Sequence, residues 1–355
     1  SIKLWFILIS KVDIDMNKVL RVAVVGAGIY GIHHIDAYLQ NKRVELVAVC
    51  DLSEKIRKSV EERYHIKTYS DLVEMLEKEK IDAISIATPD AFHVQPAMEA
   101  LKRGLHILVE KPLATTYDDG LKMVNLAIEK GLLLGVDFHK RWDPVAINVR
   151  EYLQKSKAFP IRGYMSMDDI IAVPTEWFNW GSHSTPTDFL GSHCVDLMRY
   201  YMGCEVTQVY ATGVKKLLPS KGVDTYDSIQ ALITFENGCT WTLENSWVLP
   251  NGFAKANDGK TFILTSEDFI RIDSQDRGLQ IFNEQKMKTP NVFFFNDFNG
   301  KQFGFGIEPI NDFVDSVLDG KPLMADGTDG LKALQITNAI LESVRTGQIV
   351  AISNV

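Results

Sequence analysis

The sequence predicts an α/β unit with a parallel, doubly wound sheet, followed by an α+β unit with a large, open, mostly antiparallel sheet. Three observations carry that reading. Strand-like apolar runs alternate with helical periods from residue 19 to residue 137. The first run ends in Gly26-Ala27-Gly28-Ile29-Tyr30-Gly31, directly before a helical period. Beyond Pro144 the texture changes to long segments of alternating polar and apolar residues. The length of 355 residues agrees, because about 150 residues per domain gives a prior of two domains.

The elements follow in order. Residues 19–25 are a continuous apolar run, as a strand buried on both faces requires. The next helix presents Ile32, Ile35, Tyr38 and Leu39 on one side. Strands then fall at 44–50, 81–87, 105–109 and 132–137, with helices at 54–64, 71–80, 94–103 and 117–130. Gly104 and Gly131 stand where helix ends favour a left-handed residue. In the second part a helix at 145–154 precedes strands at 161–168, 206–214, 228–235, 240–246 and 261–265. A helix at 188–202 interrupts that series, and Asn237-Gly238 supplies a hairpin turn within it. Residues 310–318 and 329–346 read as helices that return toward the first unit. The chain thus divides into an N-terminal extension (1–17), a first domain (18–144), a second (145–327) and a closing helix (328–355). Segments 215–225 and 248–260 carry no pattern that places them.

Composition narrows the function classes. Hydrophobic residues make up 46% and charged residues 24%, which excludes disorder, collagen-like repeats and a disulfide-stapled miniprotein. A net charge of -8 repels nucleic acid and anionic membrane surfaces, so neither is expected as a partner. Cys50, Cys194, Cys204 and Cys239 are far apart and form no CxxC pair, which fits free thiols in a reducing cytoplasm. The apolar run at 4–9 is too short to span a bilayer, and a charged stretch follows it. Residues 1–15, ahead of Met16, read as an upstream extension; an edge strand or an arm packed on a neighbour is the alternative.

The chemistry starts at the glycines. Gly26 permits a tight turn, Gly28 lets backbone approach a pyrophosphate, and Gly31 lets helix and strand pack closely. Asp51, twenty residues beyond Gly31, is placed to accept hydrogen bonds from ribose hydroxyls. The combination predicts a Rossmann domain that binds a dinucleotide, with NAD favoured over NADP because Asp51 repels a 2′-phosphate. Lys55 and Arg57 are nearby cations that keep NADP open. Glu110-Lys111-Pro112 follows a strand end, where a lysine reaches the crevice or is merely solvated. In Gly191-Ser192-His193-Cys194-Val195-Asp196, Asp196 lies three residues beyond His193 on the same helical face. That spacing lets the carboxylate orient the imidazole, although Arg199 could equally take Asp196 and His193 could simply be packed. The histidines show no metal-binding spacing, so no metal is expected.

Together these motifs resemble the glucose-fructose oxidoreductase / inositol dehydrogenase / MocA family of NAD(P)-dependent oxidoreductases. The resemblance covers residues 18–350 and rests on VAVVGAGIYGIHH, VAVCDLS, ISIATPDAFH, HILVEKPLATT, GVDFHKRWDP and GSHCVDLMRYYMG, in that order. It implies hydride transfer between the nicotinamide cofactor and a secondary alcohol or ketone of a sugar, polyol or related small molecule. Lys111 would hold the reacting hydroxyl and His193 would exchange its proton, the two serving as the catalytic residues. Gly26, Gly28, Ile29, Tyr30, Gly31, Asp51, Thr88, Pro89, His93, Glu110, Lys111 and Arg141 would contact the cofactor. His139, Trp180, Asp188 and Phe189 would join Lys111 and His193 around the substrate, with Trp177 and His183 nearby. Many sugar dehydrogenases of the family carry aspartate four residues before the histidine; here that residue is Phe189, and Asp188 stands one earlier. One helical residue is about 100° of rotation, so Asp188 is no simple replacement unless the helix starts irregularly. The family resemblance also implies a homodimer or homotetramer. A non-catalytic NAD-binding regulator and an NAD-assisted glycosidase are the alternative functions.

Overall fold

The computed structural model describes residues 18–353, except 179 and 286. The proposed extension at 1–15 lies outside the described residues. The first domain alternates strand and helix: β1 (Leu20–Val25), α1 (Ile29–Gln40), β2 (Val44–Cys50), α2 (Glu54–Tyr64), β3 (Thr68–Tyr69) and α3 (Leu72–Lys78). It continues with β4 (Ala83–Ile86), α4 (Val94–Lys102), β5 (His106–Glu110), α5 (Tyr117–Lys130) and β6 (Leu134–Asp137). The six strands are parallel in the order β3-β2-β1-β4-β5-β6. The order reverses between β1 and β4, which opens a crevice at their carboxyl ends. Side chains of β1 serve both faces: Ala23 and Val25 join one core cluster, while Leu20, Val22 and Val24 join another.

The second part starts with α6 (Pro144–Lys155), β7 (Pro160–Ile170), α7 (Ser192–Met202), β8 (Val206–Val214) and a short α8 (Leu217–Ser220). Then come β9 (Ser228–Phe235), β10 (Thr240–Leu249), β11 (Asn257–Thr265) and β12 (Phe269–Asp273). Two small hairpins follow, β13 (Ile281–Phe282) with β14 (Met287–Lys288), and β15 (Asn296–Phe298) with β16 (Lys301–Phe303). Helices α9 (Glu308–Asp319) and α10 (Gly327–Thr346) and the edge strand β17 (Val350–Ala351) close the chain. The large sheet runs β12-β11-β7-β10-β9-β8-β17. It is antiparallel except between β7 and β10, where Gly163 lies opposite Trp241 and makes room for its indole.

Several details differ from the sequence reading, β3 and β12 to β16 among them, which it did not contain. The segment read as a helix from 188 starts as a π-helical turn, Thr187–Gly191, and becomes α-helical only at Ser192. Much of 248–260, which carried no pattern, belongs to the ends of β10 and β11. The closing helices return to the first domain. On α9, Ile310, Phe313 and Val314 are buried, and the helix packs against α1, β5 and β6; full burial of one such side chain contributes about 1.5–3 kcal/mol. On α10, Leu331 and Leu334 press against Gly120 of α5, while the other side of the helix contacts β8 and α7. No helix among the described residues is long and apolar enough to cross a membrane.

Candidate active site

The glycine turn after β1 has the form its sequence demands. Gly26 takes φ +87°, and a Cβ there would lie 2.7 Å from the Ala87 carbonyl group. A Cβ on Gly31 would collide with the Gly26 carbonyl oxygen. At Gly28, by contrast, nothing lies within 4 Å of the Cβ position, and no side chain caps α1. Unpartnered N–H groups at a helix start beside an open approach fit a pyrophosphate. Ile29 is exposed on that first turn, and the Tyr30 ring stacks on His139 with centroids 6.4 Å apart. Asp51 accepts the Ala27 N–H and the Ser53 N–H, each at 2.8 Å, one on each carboxylate oxygen. Each oxygen keeps further accepting capacity for a ribose hydroxyl. Arg57 donates to the Asp51 and Leu52 carbonyls at 2.7 and 2.9 Å, and Lys55 is exposed.

Thr88 and Pro89 form the turn after β4, where the Thr88 hydroxyl oxygen is buried without a partner. His93 does not present a free nitrogen to a cofactor. It is fully buried, with Nδ1 2.7 Å from the Pro112 carbonyl oxygen and Nε2 2.9 Å from that of Thr88. It therefore ties the β4 turn to the turn that carries Lys111.

A buried polar network that the sequence reading missed supports that second turn. Glu110 Oε1 lies 3.2 Å from His34 Nε2, and Asp137 Oδ2 lies 3.6 Å from the same nitrogen. His34 Nδ1 is 3.0 Å from Ser85 Oγ, which also meets the Tyr38 hydroxyl at 2.5 Å. Burial pushes the Asp137 carboxyl up to about 6. The signal was present in the sequence: His34 sits three residues beyond Gly31, and Asp137 ends a strand.

Lys111 is buried at the end of β5. Its ammonium donates to the Phe189 carbonyl at 3.1 Å and sits 3.9 Å above the centre of the Phe189 ring. Phe189 thus holds the lysine by a cation–π contact. Phe189 also packs against Phe178, Trp180 and Trp247, with centroids 5.3 to 5.9 Å away, and so forms an aromatic wall. Trp177 is largely exposed and His183 is exposed. Asp188, on the π-helical turn, accepts the Thr185 hydroxyl at 2.8 Å; burial, then the Asp90 charge, raises it to about 6.

His193 lies on the first turn of α7, buried, and Nδ1 has no hydrogen-bond partner. Desolvation, reinforced by His139, Lys111 and Lys140, holds its pKa well below the ordinary histidine value. His139 faces it with ring centroids 4.6 Å apart, and burial drives His139 down to about 3. Phe294 and Phe305, from the chain around the last hairpin, cover His139 at 4.8 and 6.2 Å. Neither phenylalanine was singled out in the sequence, because nothing in the FFF run at 293–295 or in Phe303-Gly304-Phe305 shows which surface it covers.

Two expectations need correction. Asp196 does not orient His193. It forms a bidentate pair with Arg141, at 2.8 Å to Nε and 2.6 Å to Nη2. Arg141 in turn does not reach out to a cofactor: its remaining Nη1 donates to the Met324 carbonyl and to Asp329 at 3.0 Å. A buried carboxylate takes a full guanidinium fork in preference to one imidazole nitrogen, because the fork satisfies both oxygens. Arg199 binds Glu205 and Asp329 instead of Asp196.

Comparisons with known proteins agree with this fold. The sequence model of an oxidoreductase family with an NAD-binding Rossmann fold matches residues 20–138, and that of the GFO/IDH/MocA C-terminal domain matches residues 164–268. The oxidoreductase YrbE of Bacillus subtilis is 26% identical over 350 residues, covering 96% of this chain and 98% of its own length. Inositol 2-dehydrogenase of Rubrobacter xylanophilus is 28% identical over 240 residues, covering 66% of this chain and 67% of its own. The crystal structure of scyllo-inositol dehydrogenase from Lactobacillus casei, with NAD(H) and scyllo-inositol bound, superposes with a TM-score of 0.80 at 19% identity. It covers 94% of this chain and 99% of that one. With both of its domains matched in order, the chain belongs to the glucose-fructose oxidoreductase / inositol dehydrogenase / MocA family and is an oxidoreductase with an NAD-binding Rossmann domain.

Proposed function

We propose that this enzyme transfers a hydride between NAD and a secondary alcohol or ketone of a sugar, polyol or related small molecule, with Lys111 and His193 handling the proton. The observation that carries the reading is the pairing at the crevice of a buried ammonium with a buried imidazole that has an unpartnered nitrogen. Gly26, Gly28 and Gly31 would hold the pyrophosphate against α1, and Asp51 the adenosine ribose. The acid at that position supports NAD over NADP. Bound nicotinamide would supply or accept the hydride.

The chain's own residues do the rest. Lys111 commits one donor to the Phe189 carbonyl and keeps two for a substrate oxygen. There its charge favours the alkoxide character that develops as the C–H bond is broken. His193 is unprotonated at neutral pH because of its burial, so it is ready to take the hydroxyl proton. The aromatic wall of Phe189 and Trp180 suits the C–H face of a sugar ring.

The test is nicotinamide reduction on a panel of aldoses, polyols and inositols with NAD and with NADP. Lys111→Ala and His193→Ala are each expected to lower kcat by about 10²–10⁴-fold. Normal turnover by both variants would overturn the mechanism. Tight NADH binding without turnover would indicate a regulator, and release of free sugar from aryl glycosides without net NADH would indicate glycoside cleavage.

A further inference from the structure

His193 opens onto a chain of buried ionisable groups that hydride transfer alone leaves without a task. The His139 ring faces it with centroids 4.6 Å apart. Beyond that ring, His139 Nδ1 lies 3.6 Å from Asp137 Oδ1, which is buried and has no hydrogen-bond partner. The second carboxylate oxygen, Oδ2, lies 3.6 Å from His34 Nε2, and Glu110 Oε1 approaches the same nitrogen to 3.2 Å. His34, Glu110, Asp137, His139 and His193 are all buried.

The fold puts these groups in line. Asp137 ends β6 and is paired with Glu110 at the end of β5, so the two carboxylates leave neighbouring strands on one face. Helix α1 brings His34 to both of them, and the turn after β6 carries His139 toward His193 on α7. Asp137 also feels Lys111 and His33, and acts on the Tyr30 and Tyr38 hydroxyls. Lys111 and Lys140 act on both His139 and His193, and Glu110 and Asp143 act on His139. Proton affinities are graded along the line. Burial holds His193 well below the ordinary histidine value and His139 at about 3, whereas it raises Asp137 to about 6. Asp137 is therefore ionised at neutral pH, yet binds a proton more tightly than His139 does.

We propose that Asp137 receives, through His139, the proton that His193 removes from the substrate hydroxyl. The inference rests on His193 being the group that removes it. As the hydride leaves carbon for the nicotinamide, the hydroxyl proton passes to one nitrogen of His193. The proton on its other nitrogen passes to His139, and the Nδ1 proton of His139 passes to Asp137 Oδ1. Both imidazoles end neutral, the carboxylate ends as a carboxylic acid, and the alcohol carbon ends as a carbonyl. Neither imidazole keeps the positive charge that burial and the two lysines disfavour. Asp137 acts only through the imidazoles, so it is a positioning residue for the proton, and reduction runs the same path backward.

The test is NAD reduction with myo-inositol, scyllo-inositol and D-glucose from about pH 5 to about pH 9. Wild type should lose kcat along an acid limb near pH 6, where a protonated Asp137 can no longer accept. Asp137→Asn should lower kcat by about 10²-fold and remove that limb, and His139→Gln should do the same. Melting curves identify a variant that does not fold, and the other then decides. A lower kcat with the limb still near pH 6 marks a merely structural role and overturns the relay, as does unchanged kcat in either variant. If His193→Ala is inactive in the same assay, the hydride-transfer reading survives that failure; if it turns over normally, both fall. If none of the three substrates is turned over, nitrogen-15 spectra of the NADH-loaded protein decide. The His139 and His193 ring nitrogens should shift together near pH 6 in wild type and not in Asp137→Asn. No shift near that pH in wild type, or the same shift in the variant, overturns the relay.

Discussion

Phe189 shows how one side chain can hold the lysine proposed to act in catalysis. A carboxylate beside Lys111 would fix the ammonium by charge, whereas the aromatic face fixes it by its quadrupole and a backbone carbonyl completes the hold. A cation–π contact is worth about 0.5–2 kcal/mol. Phe189→Ala should therefore lower kcat by about 2- to 30-fold. Phe189→Leu, which keeps bulk without the quadrupole, should lose nearly as much. Unchanged kcat in both would show that Lys111 needs no such support. His193 gives a prediction of the opposite kind. Its pKa lies well below the ordinary histidine value, because the charged form is desolvated and faces Lys111 and Lys140. The base thus stays unprotonated as pH falls through 6.5, and the acid-side loss of kcat/KM for alcohol oxidation should begin below that pH. A pH–rate profile with its acid limb at or above 6.5 would contradict this assignment.

Arg141 illustrates what whole elements contribute. It leaves the chain just after β6 and joins that strand end to α7 through Asp196 and to α10 through Asp329. Breaking a buried pair on one side strands the other charge, at about 3–5 kcal/mol. Arg141→Met should cost that much in urea denaturation, and the added change Asp196→Leu should recover most of it, with NADH affinity little altered. A large loss of NADH binding in a stably folded Arg141→Met protein would return the arginine to the cofactor site. The same residue shows why parts of the site were hidden in the sequence. The strands and helices of the first domain, apart from the two-residue β3, were legible because apolar runs, Gly104 and Gly131 mark them locally. The glycine turn, Lys111 and His193 were legible because each motif is contiguous. Arg141 and Asp196 are 55 residues apart, and local spacing instead suggested that Asp196 serves His193. Strands β13 to β16 were missed because two or three residues, mostly exposed, leave no alternation to read. The π-helical turn at Thr187–Gly191 was missed in detail for a related reason: its composition does not distinguish an i→i+5 turn from an α-helical one.

Over the whole chain, the two sheets share hydrophobic interior. One cluster of buried side chains runs from Ala23 and Ile84 under the parallel sheet, through Met123 on α5 and Leu334 on α10, to Val209 and Trp241 in the large sheet. Helix α10 packs on α5 with one side and on β8 with another, so neither sheet can shed it without exposing core. Residues just ahead of it add to the parallel sheet: Val136 N–H donates to the Ala325 carbonyl at 3.1 Å, and Gly135 bridges to Asp326. Close approaches of Gly327 and Gly330 to Leu134, Val136 and Leu113 fix that seam, since a Cβ at either glycine would lie within 3.0 Å of a neighbouring side chain. An apolar seam of this kind couples the two halves more firmly than a polar domain contact would. Urea unfolding should accordingly be a single transition, with tryptophan fluorescence reporting the large sheet through Trp241 and Trp247 and far-ultraviolet dichroism reporting both halves at the same midpoint. A fragment of residues 18–144 should fail as an independent domain and bind a hydrophobic dye, because it lacks α9 and α10 over α1, α5, β5 and β6. Two separated transitions, or a fragment that melts cooperatively without dye binding, would mean that the seam transmits little and that the first domain stands on its own.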